Sequence, residues 1–410
     1  MQGLKNNWKQ FWLLVLINAF VGAMVGLERS VLPGLAESKF QLSGKTALLI
    51  FLIAFGTSKA LFNLVTGKLI EKLTRKEVLT LGWLAALPVP FLLMYAQDWS
   101  WIIAANILLG INQGLAWSAT VIMKIDLVGE KNRGLAMGIN EFAGYLSVGV
   151  AALLAAYLAA EYGYSFFPFL PGVLFSVLGL MLTVFFIKET GSFVGKEASQ
   201  STVPTLPHLW KQTTYKHINL GSITVNGIVN NLNDGVVWGL LPLLMLQKSY
   251  SIGQIGLIAG LYPAVWGLGQ LSTGKLGDNY CKKQLITIGM LLQGMALLVI
   301  AFSSSFYTDL FAVVILGWGT ALVYPNFLTV IAENTHPWQR AQSLSIFRFW
   351  RDSGYVLGAL ISGVLADAFG MEQTFMVVAI ITAAAGLLAH FRMCCTEKLL
   401  WKSNMCLPYS

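Results

Sequence analysis

Charge is what this chain has least of. Only 11% of its 410 residues are Asp, Glu, Lys or Arg, and 56% are hydrophobic. Soluble domains carry about 25% charge. So much apolar surface cannot be hidden in a soluble core, which excludes a soluble enzyme or binding domain and makes lipid the solvent. Histidine and cysteine are scarce, at four each. His208, His217, His336 and His390 lie far apart in sequence at helix ends or in loops, and form no metal-ligand cluster. No Gly-x-x-x-x-Gly-Lys-Ser/Thr run occurs, which argues against ATP drive. No nucleophile and base stand at a spacing useful to an intramembrane enzyme. The net charge of +8 is scattered among short loops and builds no separate basic domain, so nucleic acid is a poor partner. No cofactor and no metal are expected.

What is present is apolar runs of about 20 residues, each long enough to cross ~30 Å of hydrocarbon as a helix. Twelve spans are predicted, at 12–32, 46–66, 77–96, 100–123, 134–157, 165–187, 218–246, 252–273, 284–302, 308–331, 342–366 and 373–393. The first lacks the short core and small-residue cleavage site of a signal peptide and reads as a retained span. With the N-terminus in the cytoplasm, the inner segments hold 20 of the 27 Lys and Arg, and the outer loops hold Lys39, Lys45 and Lys248. That bias places both termini in the cytoplasm, and a plasma (bacterial inner) membrane is the expected location. Cys281, Cys394, Cys395 and Cys406 fall on the same reducing side and are expected as free thiols.

The chain also repeats itself at an offset of 207 residues. Gly67-Lys68-Leu69 returns as Gly274-Lys275-Leu276, Glu71 as Asp278, and Arg75-Lys76 as Lys282-Lys283. Gly82 falls on Gly289, Leu109-Gly110 on Leu316-Gly317, Asp126 on Glu333, and Arg133 on Arg340. Such self-similarity means two copies of one structural unit, and duplicated membrane halves are frequent in secondary transporters. The expected organisation is an N-terminal six-helix bundle at 1–187, a cytoplasmic linker at 188–216, a C-terminal six-helix bundle at 217–393 and a cytoplasmic tail at 394–410. The linker carries Gly191, Gly195, Pro204 and Pro207 among Ser and Thr.

The segment from Gly67 through Glu71 to Arg75-Lys76 resembles the loop between helices 2 and 3 of the major facilitator superfamily. Gly274 and Asp278 stand where its weaker twin belongs, between helices 8 and 9. The resemblance covers essentially the whole chain. It implies an all-α membrane protein with twelve transmembrane helices in two pseudo-symmetric six-helix bundles, transport by alternating access, and a monomer. It also implies that the two loop motifs form a cytoplasmic gate. There are departures. Glu71 replaces the usual Asp, Thr74 the usual Gly, and Asn106 stands where many proton-coupled members carry Arg. Span 5 has Gly134, Gly138, Gly144 and Gly149 but no Gly-Pro, unlike conventional drug–proton antiporters.

Charges inside spans are costly and mark function by default. Eight are predicted: Glu28, Glu141, Asp234 and Asp352 against Arg29, Lys59, Arg348 and Arg351. Arg348, Arg351 and Asp352 share one helical face. By helix rise, Arg351 and Asp352 lie roughly 17 Å beyond Arg340, near mid-bilayer. Glu141 occupies the repeat position of Arg348, so the halves carry opposite charge there. Because helices 2 and 11 meet in the superfamily, Lys59 is expected to approach Asp352. Glu141 and Asp234 are the leading proton-coupling candidates. Glu28 ranks third, because adjacent Arg29 could hold it ionised.

Polar stripes name the expected cavity. Span 7 shows Asn226, Asn230, Asn233 and Asp234. Span 4 shows Asn106, Gln113 and Trp117, and span 8 shows Tyr262 and Trp266. Amides at helical spacing in lipid must face other helices or a wet cavity. The superfamily lines its path with helices 1, 4, 7 and 10, which adds Tyr324 and Asn326. The expected function is proton-coupled export of a small amphipathic organic molecule, such as a metabolite, chelator or drug. Uptake of a nutrient and a transport-inactive sensor on the same scaffold are the alternatives.

Overall fold

A computed structural model describes residues 2–42, 44–129, 132–395 and 398–401. Helix dominates, and no strand occurs among the described residues. Twelve long helical segments appear where twelve spans are predicted. They are α1 (Trp8–Arg29), α2 (Gly44–Lys72), α3 (Arg75–Met94), α4 (Trp99–Val128), α5 (Arg133–Tyr162) and α6 (Phe167–Phe186). Then follow α7 (Ile218–Gln247), α8 (Ile252–Asn279), α9 (Lys282–Phe302), α10 (Phe306–Glu333), α11 (Pro337–Phe369) and α12 (Met371–Arg392). Among the described residues, nine helices are long and apolar enough to cross a membrane on length and composition alone. α2 falls outside that set, and so do α7 and α11. The asparagines and arginines of α7 and α11 explain why they do, and these two helices carry most of the candidate site.

The duplication is visible in the boundaries. α3 and α4 begin at Arg75 and Trp99, and α9 and α10 begin 207 residues later at Lys282 and Phe306. Packing groups residues 1–129 with 142–200, and 130–141 with 201–410. In the first unit, α2 packs on α4, α3 on α4 and α6, and α1 on α6. In the second, α8 packs on α10, α9 on α10 and α12, and α7 on α12. The pairings are the same at equivalent places.

Glycine sets the closest approaches. In the second unit a Cβ at Gly354 or Gly358 would run into the carbonyls of Ile228 or Leu232, and one at Gly235 would stand 2.6 Å from the Tyr355 carbonyl oxygen. α7 and α11 therefore touch backbone to backbone, which brings their polar side chains together. In the first unit Gly22 and Gly26 meet the carbonyls of Gly144 and Val148 in the same way, so α1 with α5 repeats α7 with α11.

Several elements depart from expectation. α4 runs on to Val128, so Lys124 and Asp126, read as loop charges, are buried on a helix. Inside α4, residues Gln113–Trp117 form a π-helical turn, a feature often found at functional sites. α3 breaks between Ala86 and Val89, where Pro88 removes a backbone donor. The predicted linker contains a helix, Gly191–Gln200, whose Val194 is buried.

The cysteines also differ from the reading. Cys281 and Cys395 are joined in a disulfide, and no described cysteine is free. The reason is local folding. The segment after α12 turns back over the start of α9, with Cys281 N–H donating to the Lys398 carbonyl at 2.9 Å. Leu400 N–H donates to Gln284 Oε1 at 2.6 Å, and Gln284 Nε2 donates to the Trp401 carbonyl at 2.7 Å. Redox compartment, the basis for expecting thiols, carries no information about this proximity. Cys406 lies outside the described residues.

Two outcomes follow for stability. Gly354→Val should force α7 from α11 and cost ~1–3 kcal/mol, the range for overpacking, read as a lower unfolding temperature in detergent. His217 caps α7, its Nδ1 accepting from Leu220 N–H at 3.3 Å. Burial, then the Arg392 charge, hold its proton affinity below the ordinary 6.5. Its neutral form is favoured on folding, so this contribution is present above pH 6.5 and lost as pH falls through 6.5 toward the folded value. Thermal scans should show that slope, and His217→Asn, which keeps a capping side chain, should flatten it.

Candidate functional site

The first unit places its predicted residues on α1, α2 and α4. Glu28 is fully buried. Asn106 of α4 faces its carboxyl, although neither carboxylate oxygen has a hydrogen-bond partner among the described residues. Asn106 spends its Nδ2 on the Ile102 carbonyl at 2.9 Å. Arg29 is half-buried. Gln113 Nε2 donates to the Val21 carbonyl at 2.7 Å, tying the π turn of α4 to α1. The Lys59 ammonium lies 5.8 Å from the Phe55 ring centroid and 5.9 Å from that of Trp117. Trp117 in turn packs on Tyr145 at 5.6 Å.

The second unit holds a denser network. The four polar residues of α7 do not share one destination. Asn230 and Asn233 both donate to Gln293 Oε1 of α9, at 3.3 and 3.0 Å. Asn233 also accepts from Thr382 of α12 at 2.8 Å. These two asparagines are interhelical glue. Asp234 instead accepts a short hydrogen bond from the Tyr262 hydroxyl of α8, which lies 3.2 Å from Thr320 Oγ1 of α10. Trp266 stacks on Tyr262 at 5.9 Å. Asn226 and Asn326 each spend their Nδ2 on a carbonyl one turn back, Ser222 at 2.9 Å and Leu322 at 2.6 Å. The Oδ1 atoms of both have no partner among the described residues. Gln293, Thr382 and Thr320 were not anticipated, because a single polar residue in an apolar helix leaves no pattern to read.

α11 carries the charges. Arg351 Nη1 pairs with Asp352 Oδ1 at 3.0 Å, both side chains nearly inaccessible. Asn231, which the α7 stripe omits, donates to the same oxygen at 3.2 Å. The Arg351 guanidinium stacks over the Tyr324 ring at 4.0 Å. Tyr324 lies in the field of Arg348, Glu141, Arg351 and Asp352. Glu141 is fully buried and accepts from Asn140 Nδ2 at 2.6 Å.

The two loop motifs are used differently. Asp278 accepts from the backbone N–H groups of Gly134 at 2.7 Å and Leu135 at 3.0 Å, capping α5 where a carboxylate meets the positive end of the helix. Gly134 and Gly274 sit so close that a Cβ on either would enter the other's carbonyl. Glu71 is exposed and makes no ion pair among the described residues. Arg75 Nε pairs instead with Asp126 at 3.3 Å, and lies 4.0 Å from Glu189. Lys76 reaches the linker through its backbone N–H, 3.0 Å from Glu189 Oε2. At the repeat positions Lys282 pairs with Glu333 at 3.0 Å. One ion pair thus recurs between α3 and α4 and between α9 and α10. Gly67 is buried on α2, one turn before exposed Glu71. Among the described residues no group of His, Cys, Asp and Glu could hold a metal.

A duplicated all-helical membrane bundle with charges buried in its spans is the build of a secondary transporter. The chain belongs to the Major Facilitator Superfamily, whose sequence pattern it matches over residues 11–221 and 223–401. It is 24% identical over 385 residues to "Multidrug resistance protein MdtG" of Salmonella arizonae, covering 91% of this chain and 93% of that one. Its fold is similar to the human organic anion transporter MFSD10 (TETRAN), with TM-score 0.77 and 17% identity over 93% of this chain and 99% of that chain. It is also similar to the superfamily transporter FucP, with TM-score 0.75 and 14% identity over 93% and 98% of the two chains. It is therefore an integral membrane transporter of this family.

The two repeated ion pairs should differ in worth. Asp126 is 3% and Arg75 15% accessible at the side chain, whereas Glu333 is 38% accessible. Arg75→Gln leaves a buried carboxylate with less compensation and should cost ~3 kcal/mol. Lys282→Gln leaves a carboxylate that water can reach and should cost under ~1 kcal/mol. Unfolding of the two variants in detergent reads the difference, and equal losses would refute the account.

Proposed function

We propose that the protein exports a small amphipathic organic molecule by alternating access, in exchange for protons, as a monomer in the bacterial inner membrane with both termini cytoplasmic. The observation that carries the proton part is Glu28: fully buried on a membrane helix, with neither oxygen hydrogen-bonded among the described residues. A carboxyl so placed can take up and release a proton as water access changes. This moves Glu28 ahead of its sequence rank. Asp234, joined to Tyr262 and Thr320, and Glu141 remain the other two candidates. Export is favoured by the relative named for multidrug resistance, which spans nearly the whole chain. The mixed cavity candidates Asn106, Gln113, Trp117, Asn226, Tyr262, Trp266, Tyr324 and Asn326 suit an amphipathic molecule. Asp278, holding the α5 N-terminus, and the Gly134–Gly274 approach serve as the cytoplasmic gate.

Proteoliposomes with a trapped pH dye and an imposed pH gradient test this reading. Addition of amphipathic cations, anions and neutral compounds should elicit proton flux with at least one of them. Glu28→Gln should reduce that flux to background while the protein stays monodisperse. Flux in the symport direction would assign uptake. Absence of flux with every compound would favour the sensor reading and overturn transport.

A further inference from the structure

One buried charge is not used by anything above. Arg348 of α11 is 2% exposed. Its Nε and Nη1 have no hydrogen-bond partner, and it makes no ion pair among the described residues. Its neighbour one turn on behaves otherwise: Arg351 is held by Asp352 at 3.0 Å and by the face of Tyr324 at 4.0 Å. Glu141 and Arg348 both lie near Tyr324, but no ion pair between them is found among the described residues, and Glu141 Oε1 accepts from Asn140 Nδ2 at 2.6 Å. On the same face of α11, three residues before Arg348, Ser345 Oγ also has no partner among the described residues. Phe347, adjacent in sequence, packs edge-on against Phe327 at 5.6 Å.

Two guanidinium nitrogens out of water and without an acceptor are costly. They persist where a ligand supplies the missing acceptor. The fork of Arg matches the two oxygens of a carboxylate, and a charge-assisted pair of this kind is stronger than a neutral hydrogen bond. One unanswered arginine calls for one negative charge. We infer that Arg348 anchors the carboxylate of the transported molecule, so that the substrate class is amphipathic organic monocarboxylates. This rests on the transport reading above and narrows it. The Ser345 hydroxyl, one turn back on the same face, accepts a hydrogen bond from the rest of the molecule.

The test is binding, which needs no transport. Full-length protein in detergent is titrated with 1-naphthoate and with 1-naphthamide, its uncharged counterpart, up to ~10 mM, a range that captures weak binding. Calorimetry and thermal shift read the result. Naphthoate should bind and naphthamide should not. Arg348→Gln should weaken naphthoate about tenfold or more, the scale of one hydrogen bond to a charged group. Arg348→Lys keeps the charge without the fork and should fall between. Should Arg348→Gln fail to stay monodisperse, Arg348→Lys decides, and unchanged affinity there overturns the anchor. Naphthamide binding as well as naphthoate, naphthoate binding unchanged in folded Arg348→Gln, or no naphthoate binding by the native protein overturns the proposal. Loss of the anion site with proton flux intact for other compounds leaves the transport reading standing. Anion binding without any flux does the reverse.

Discussion

A polar or charged side chain in hydrocarbon must be answered by another polar group, and water is not there to do it. α7 shows how far this constraint organises the second unit. Asn230 and Asn233 are answered from α9 and α12, Asn231 meets the carboxylate of α11, and Asp234 meets the hydroxyl of α8. One helix therefore specifies its position against four others. Apolar packing alone could not, since lipid tails compete equally well for apolar side chains. The glycines of α7 and α11 bring the backbones near enough for short polar side chains to reach across. Glycine contact and amide network are two halves of one device.

Duplication separates what the fold requires from what the task requires. The ion pair between α3 and α4 recurs between α9 and α10 with both residue types changed and the charge signs kept. Charge sign at those positions is structural. The glycine approach of α1 to α5 likewise recurs between α7 and α11. Against that constancy, Glu141 opposite Arg348 is a reversal of sign, and Glu71 opposite Asp278 is a divergence in use. Asp278 caps a helix, while Glu71 stays in the open. Where two copies share a job they keep the chemistry, and where they part the job has been divided.

Much of this was legible beforehand. Span number and order follow from apolar runs of membrane length, and the 207-residue offset survives into helix boundaries because no gap interrupts it. The charged residues of α11 were legible because helical spacing puts them on one face. The α7 stripe misled for a geometric reason. Residues 233 and 234 are ~100° apart around a helix axis, so Asn233 and Asp234 face different neighbours although both belong to one broad polar face. Gln293 and Thr382 were invisible as isolated polar residues in apolar helices. The Gly191–Gln200 helix was hidden by turn-forming composition, and the disulfide by an argument about compartment that says nothing of distance.

The two arginines of α11 then sharpen what a buried charge means. A paired charge such as Arg351 with Asp352 is weak ground for either stability or function, because desolvation consumes most of the attraction. It is explained by its partner and by the ring beneath it. Arg348 has the same burial and the same helix, but its Nε and Nη1 have no hydrogen-bond partner among the described residues. On the proposal that the carboxylate of a transported molecule answers it, that cost is returned by something that comes and goes. That asymmetry between neighbours one turn apart separates a residue that holds the bundle together from one that holds its cargo.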